Sequence, residues 1–173
     1  MDNLIIEGFI GSGKGAVARA IAKKLSLPCI DIDKKVSERL RMTTPEIYDR
    51  FGVPYYRAME TLILDELTRD EKRHVIVLGS GLATMPQNSP YLKQLGRVYY
   101  LKMKESGLLA HMRRSQKHAW IRSETWDEQV EKLLKEREPW YRKTADVTID
   151  ANDKSADAVA DEIIADQERA SGN

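Results

Sequence analysis

Gly8-Phe9-Ile10-Gly11-Ser12-Gly13-Lys14-Gly15 is the stretch that most narrows what this chain can become. It follows the apolar run Leu4-Ile5-Ile6 and precedes an amphipathic pattern with Val17, Ala20, Ile21 and Leu25 on one face. A glycine-rich turn between a buried strand and a helix start brings successive N–H groups to a helix N-terminus, where a polyanion is favoured. Lys14 adds a point charge suited to the β- and γ-phosphates of a nucleotide. The G-x-x-x-x-G-K spacing in this setting predicts a phosphate-binding loop, with Gly11, Ser12, Gly13, Lys14, Gly15 and Ala16 around the phosphates. A plain turn carrying a solvated lysine would not need that placement. One position departs from the usual form: Gly15 stands where a Ser or Thr hydroxyl normally ligates Mg²⁺, and Ala16 supplies no substitute. The ion would then be held through its waters, by carboxylates and by the phosphates themselves.

The rest of the chain alternates around this loop. Strand signals recur at Leu4–Ile6, Cys29–Ile32, Val75–Leu78, Val98–Leu101 and Val147–Ile149, with helical stretches between them. The fold class is therefore α/β, a five-stranded parallel sheet flanked by helices, and ligands are expected at the carboxyl ends of the strands. At 173 residues one domain suffices, set at 1–169 with a frayed tail at 170–173. A net charge of +1 lacks the basic excess that nucleic acid or a membrane surface would call for, so neither is expected as a partner. Asp2 and Glu7 around a very short apolar segment leave no signal peptide or spanning helix. The single cysteine, Cys29, lies in an apolar run and is read as a buried small hydrophobe in preference to a reactive thiol. A monomer in a reducing cytoplasm is expected.

Several groups are candidates for chemistry. Asp31 and Asp33 end the second strand two residues apart, which puts both carboxylates on one face, near the loop. They suit Mg²⁺ held through water and a proton taken from an acceptor hydroxyl; capping of the helix that begins near Lys34 competes with this. Helical patterns at Thr44–Phe51 and Pro54–Leu67 follow, within an acceptor-binding region of about 34–67. On the second, Arg57 and Glu60 are either a surface ion pair or an arginine oriented toward a carboxylate ligand. Gly79-Ser80-Gly81 allows close backbone approach to a ligand, or is an ordinary turn. A basic region with Arg113, Arg114, Lys117, His118 and Arg122 is a solvated face or a mobile lid over phosphates, at about 107–125. Trp120 and Trp126 flank it, to seal it or to anchor it to the core. His111 and His118 lack metal-site spacing and are read as surface residues. Pro139 is expected to end the helix Trp126–Glu138, with Arg137 at the junction aimed at the cleft. Ser155 should cap a closing helix to Glu168.

Taken together these residues resemble the shikimate kinase family along almost the full chain. That family ends its second strand in D-x-D, as Asp31-Ile32-Asp33 does, and carries F-R-x-x-E where this chain has Tyr56-Arg57-Ala58-Met59-Glu60. Its glycine triplet is matched by Gly79-Ser80-Gly81 and its R-x-P-L-Y by Arg137-Glu138-Pro139-Trp140-Tyr141. The resemblance implies a P-loop kinase fold with a mobile lid, ATP and Mg²⁺ as cofactors, and phosphorylation of a shikimate hydroxyl on the route to chorismate. It further implies Asp33 as the base, Arg57 and Arg137 as a clamp on the shikimate carboxylate, and residues 79–81 lining the cleft. Asp31 would stand near water-bound Mg²⁺ and Arg114 against adenine. Besides Gly15, Ser80 interrupts the glycine triplet, and His118-Ala119-Trp120-Ile121 replaces the family's R-P-L-L lid. Two other readings stay in view: a kinase of this fold for a nucleoside monophosphate or sugar acid, and a weakly catalytic nucleotide- or shikimate-binding regulator.

Overall fold

In the computed structural model, which describes residues 3–115 and 126–172, alternation along β1 (Asn3–Gly8) sets the layers. Leu4 and Ile6 face one side and Ile5 the other, all fully buried. Burying such side chains stabilises by about 1.5–3 kcal/mol each, and a one-residue slip would exchange the two faces, so the register is fixed. The remaining strands are β2 (Cys29–Asp31), β3 (Val75–Val77), β4 (Gly96–Lys102) and β5 (Val147–Asp150). They form one parallel sheet in the order β2-β3-β1-β4-β5.

Eight α-helices are described: α1 (Lys14–Leu25), α2 (Ile32–Leu40), α3 (Thr44–Phe51), α4 (Val53–Leu67), α5 (Ser89–Leu95), α6 (Glu105–Ser115), α7 (Trp126–Thr144) and α8 (Ala156–Ser171). Val17 and Ile21 of α1 and Val159 and Ile163 of α8 cover the Leu4/Ile6 face. Ile32, Val36, Ile47, Tyr56, Ile63 and Leu92, from α2 to α5, cover the other. A third cluster, with Phe9, Ile10, Tyr100, Leu108, Met112, Val130 and Tyr141, ties α6 and α7 to the root of the glycine loop. Among the described residues no helix is long and apolar enough to cross a membrane.

The structure departs from the sequence reading in five places. Cys29 is exposed, because it opens β2 at the edge of the sheet with no strand beyond it. Strand β2 stops at Asp31, and Ile32 already begins α2. Pro139 lies inside α7, which continues to Thr144. A proline there removes one helical hydrogen bond, a loss of about 3 kcal/mol; burial of Val130 before it and Tyr141 after it holds the helix together. Helix α8 runs to Ser171, so Ala170 and Ser171 are helical, not frayed. Finally, the expected lid divides: residues 107–115 belong to α6, whose Leu108, Leu109 and Met112 are buried, whereas Lys117, His118, Ala119, Trp120, Ile121 and Arg122 lie outside the described residues.

Candidate active site

The loop between β1 and α1 sits at the carboxyl end of the central strand. Gly13, the N-cap of α1, has φ of 82° and Gly11 the same, a left-handed conformation that a side chain would strain. Lys14 folds back over the loop and its Nζ donates to the carbonyls of Gly8 (2.8 Å) and Phe9 (3.1 Å). Loss of hydration on burial pulls its pKa down to about 8, against the pull of Asp33 and Asp31. Ser12 is buried and its hydroxyl has no partner among the described residues. Gly11, Gly13 and Lys14 line a cavity of about 710 Å³ with Gly15, Ala16, Asp31, Asp33, His111 and Arg114. It is large enough for a nucleotide.

His111 is not a detached surface residue. Its Nδ1 lies 2.8 Å from the Gly11 carbonyl, which can only accept, so that nitrogen carries the proton and α6 is pinned to the loop. Arg114, one turn on, is exposed on the same cavity and donates from Nε to Ala110 O.

The two aspartates reach the cleft by a different route from the one expected. Asp31 is the N-cap of α2 and its Oδ1 accepts from the Lys34 N–H at 3.2 Å, so the capping reading holds for it. Burial pushes its pKa up. Asp33 lies in the first turn of α2, where its Oδ1 accepts a 2.5 Å hydrogen bond from Tyr56 Oη. Both line the nucleotide-sized cavity, and Asp33 also lines a neighbouring one of about 610 Å³. Asp33, Ile10 and Ser80 form the boundary the two share.

That second cavity holds both arginines. Arg57 Nη1 donates to Glu60 Oε2 at 2.6 Å; Glu60 is fully buried and Arg57 13% exposed, which decides for the orienting role over a surface pair. Burial pushes Glu60 up to about 7 while the guanidinium opposes it. Arg137 reaches across from α7 and donates to Ser80 Oγ at 2.8 Å, and Tyr141, one turn later, donates from its hydroxyl to Ser80 O. The Gly79-Ser80-Gly81 stretch is more than a turn. A Cβ on Gly81 would lie 2.1 Å from Arg57 Nη2, and one on Gly79 2.5 Å from Glu60 Oε1 and 2.6 Å from Asp33 Oδ1. Only glycines let the backbone pass this close to the charged groups.

Sequence reasoning missed Tyr56 as the partner of Asp33, although its hydroxyl stands where the F-R-x-x-E pattern has phenylalanine. It also missed Glu7, which is buried at the end of β1 with both carboxyl oxygens within 2.9 Å of Thr144 Oγ1. Burial pushes Glu7 up to about 8. A carboxyl interrupting an apolar strand is the signal that pointed to it.

A carboxylate able to take a proton, an arginine pair suited to an acidic ligand and a phosphate loop thus converge on one divided cleft. The family model for shikimate kinase matches residues 10–168. A shikimate kinase of Caldanaerobacter subterraneus is 34% identical over 164 residues, 95% of each chain, and one of Thermodesulfovibrio yellowstonii is 31% identical over 99% of this chain and 98% of its own. Among solved structures, shikimate kinase from Acinetobacter baumannii in complex with shikimate superimposes with a TM-score of 0.90 at 31% identity, covering 100% of this chain and 95% of that one. The enzyme from Aquifex aeolicus gives 0.82 at 25% identity, over 96% of both chains. The chain belongs to the shikimate kinase family of ATP-dependent P-loop kinases.

Proposed function

We propose that this chain transfers the γ-phosphoryl group of ATP to a hydroxyl of shikimate, with Lys14 and the loop N–H groups on the phosphates and Asp33 as the base. The observation that carries this reading is the presence of Arg57, Arg137 and Asp33 around one cavity that opens, past Ile10 and Ser80, onto the glycine loop. Two guanidiniums suit a carboxylate, and Asp33 lies between them and the loop. Tyr56 occupies Asp33 Oδ1, which leaves Oδ2 to accept the hydroxyl proton. As that proton moves to Asp33, the acceptor oxygen bonds to the γ-phosphorus, the bond to the bridging β,γ-oxygen breaks, and ADP leaves. Such a reaction asks the protein mainly for positioning and charge stabilisation.

The donor set fits Mg²⁺ only in outline. The side chains of Gly15 and Ala16 offer no oxygen, Asp31 Oδ1 caps α2 and Asp33 is given to the acceptor hydroxyl, so the free carboxylate oxygen of Asp31 would hold the ion through its waters. When bound it would neutralise charge on the β- and γ-phosphates. Arg114 is proposed to lie against the adenine, from its place on the cavity rim. The balanced charge and single cysteine support a monomeric, cytoplasmic protein composed of one domain.

A coupled ADP-release assay with Mg·ATP tests the reading, with gluconate and a nucleoside monophosphate beside shikimate as acceptors. Shikimate-dependent ADP release is the expected result. Tight shikimate binding without release would favour the regulator reading, for which the missing hydroxyls at Gly15 and Ala16 are the motive.

A further inference from the structure

Tyr56 lies in the first turn of α4 and is 1% exposed, with Tyr48 packed edge to face against its ring, centroids 5.0 Å apart. It borders the acceptor cavity beside Thr44 and Asp33. Burial first, then the charge of Asp33, pushes the pKa of its hydroxyl up, so the hydroxyl keeps its proton. The Thr44 side chain hydrogen-bonds to the same oxygen and favours its ionised form, which makes Thr44 the donor there. The one proton of Tyr56 Oη goes to Asp33 Oδ1, at 2.5 Å. Hydrogen bonds thus run in one direction, from α3 through α4 to the first turn of α2. Lys14 pulls on Asp33 from the phosphate side: of the charges that act on Lys14, that of Asp33 is the strongest, ahead of Asp31. A carboxylate without a tie would turn toward that ammonium and out of the acceptor cavity.

We propose that Tyr56 is a positioning residue for phosphoryl transfer: its hydroxyl holds Asp33 on the acceptor side, so that the free carboxylate oxygen meets the acceptor hydroxyl and not Lys14. The inference rests on the reading of Asp33 as the base, and adds to it that the base is oriented by a hydroxyl which the F-R-x-x-E pattern lacks. A phenylalanine at position 56 would fill the same space and leave Asp33 Oδ1 to water or to Lys14. Tyr56 acts on the substrate only through Asp33. Loss of its hydroxyl should therefore misplace the base without removing a contact that holds ATP or shikimate, and the effect should fall on kcat.

Steady-state ADP release with Mg·ATP and shikimate tests this on the wild type, Tyr56→Phe, Asp33→Asn and the double variant. Tyr56→Phe should lower kcat about tenfold, leave the KM of each substrate within about twofold, and move the thermal midpoint by about 5 °C or less. In the Asp33→Asn background the same substitution should cost about twofold or less in kcat, because the base it positions is already gone. Wild-type kcat in Tyr56→Phe, an equal loss in both backgrounds, or a loss carried by the shikimate KM alone would overturn the assignment of Tyr56 while leaving the kinase reading standing. A wild type that releases no ADP with shikimate would overturn that reading, and this role with it.

Discussion

Around Asp33 and Arg57 nearly every polar group already has a partner, whereas around Lys14 several do not. On the acceptor side Tyr56 holds Asp33, Glu60 holds Arg57, and Ser80 receives both Arg137 and Tyr141; the buried Glu60 Oε1 and the Asp33 oxygen left for the acceptor are the exceptions. On the phosphate side Lys14 rests on loop carbonyls, the Ser12 hydroxyl is unpartnered, and Arg19 has no ion pair among the described residues. The contrast teaches where binding free energy goes. A site whose groups are already fixed costs little to organise when the ligand arrives, and its geometry is precise. A site whose cation must leave its own carbonyls gains affinity only by exchange, and depends more on the ligand's charge. On the proposed function, acceptor recognition is therefore built in, and phosphate recognition is completed by the phosphate.

The largest test of this contrast is Asp33→Asn. Removal of the base should lower kcat by about 10²–10⁴-fold while ATP affinity stays near that of the wild type; a normal kcat would take Asp33 out of the role. Arg57→Ala comes next. It should weaken shikimate by two orders of magnitude or so and destabilise the fold by about 1–3 kcal/mol, since it leaves the buried Glu60 carboxyl without its partner. Adding Glu60→Gln should return most of the stability but none of the shikimate affinity, and recovery of both would mean the pair is only structural. Gly81→Ala pushes a methyl into the Arg57 guanidinium; a shikimate KM raised about tenfold, with the KM for ATP unmoved, is the expected split.

Effects on the phosphate side are smaller and depend on pH. Lys14 titrates near 8 in the free protein, and bound phosphates favour its charged form, so ATP binding at pH 8 should take up a fraction of a proton. Near pH 6, where Lys14 is already charged, uptake should vanish; calorimetry in two buffers of different ionisation enthalpy reads the difference. Glu7 provides the last test. Its pKa rises from 4.5 to about 8 on folding, so the folded chain keeps a proton that the unfolded chain has lost between those values. The stability linked to that proton is complete below pH 4.5 and is lost as pH rises through about 8. Glu7→Gln should match the wild type in thermal midpoint near pH 5 and exceed it near pH 9, by on the order of 1–3 kcal/mol. An advantage that does not grow with pH would remove the assignment.

What the sequence discloses and what it withholds divides along the same line. The loop is legible because its chemistry is local: glycines, a lysine, a strand before and a helix after. The parallel sheet is legible from its apolar runs. Burial is not local, and that is why Arg57 and Glu60 read equally well as a surface pair or an oriented clamp until the backbone of residues 79–81 closes over them. The same holds for Cys29, apolar in its neighbours yet exposed because its strand is the sheet's edge, and for Pro139, whose helix continues only because Tyr141 is anchored beyond it. Asp31 and Asp33 line one cavity, but a strand's alternation does not bring them together; the N-terminus of α2 does.

On the proposed function, the acceptor site stands ready before the nucleotide arrives. Calorimetric titration of shikimate into the nucleotide-free protein tests it most directly, repeated with ADP present. Measurable shikimate binding without nucleotide is expected, altered only a few-fold by ADP and abolished in Arg57→Ala. Shikimate binding that appears only once ADP is bound would contradict it.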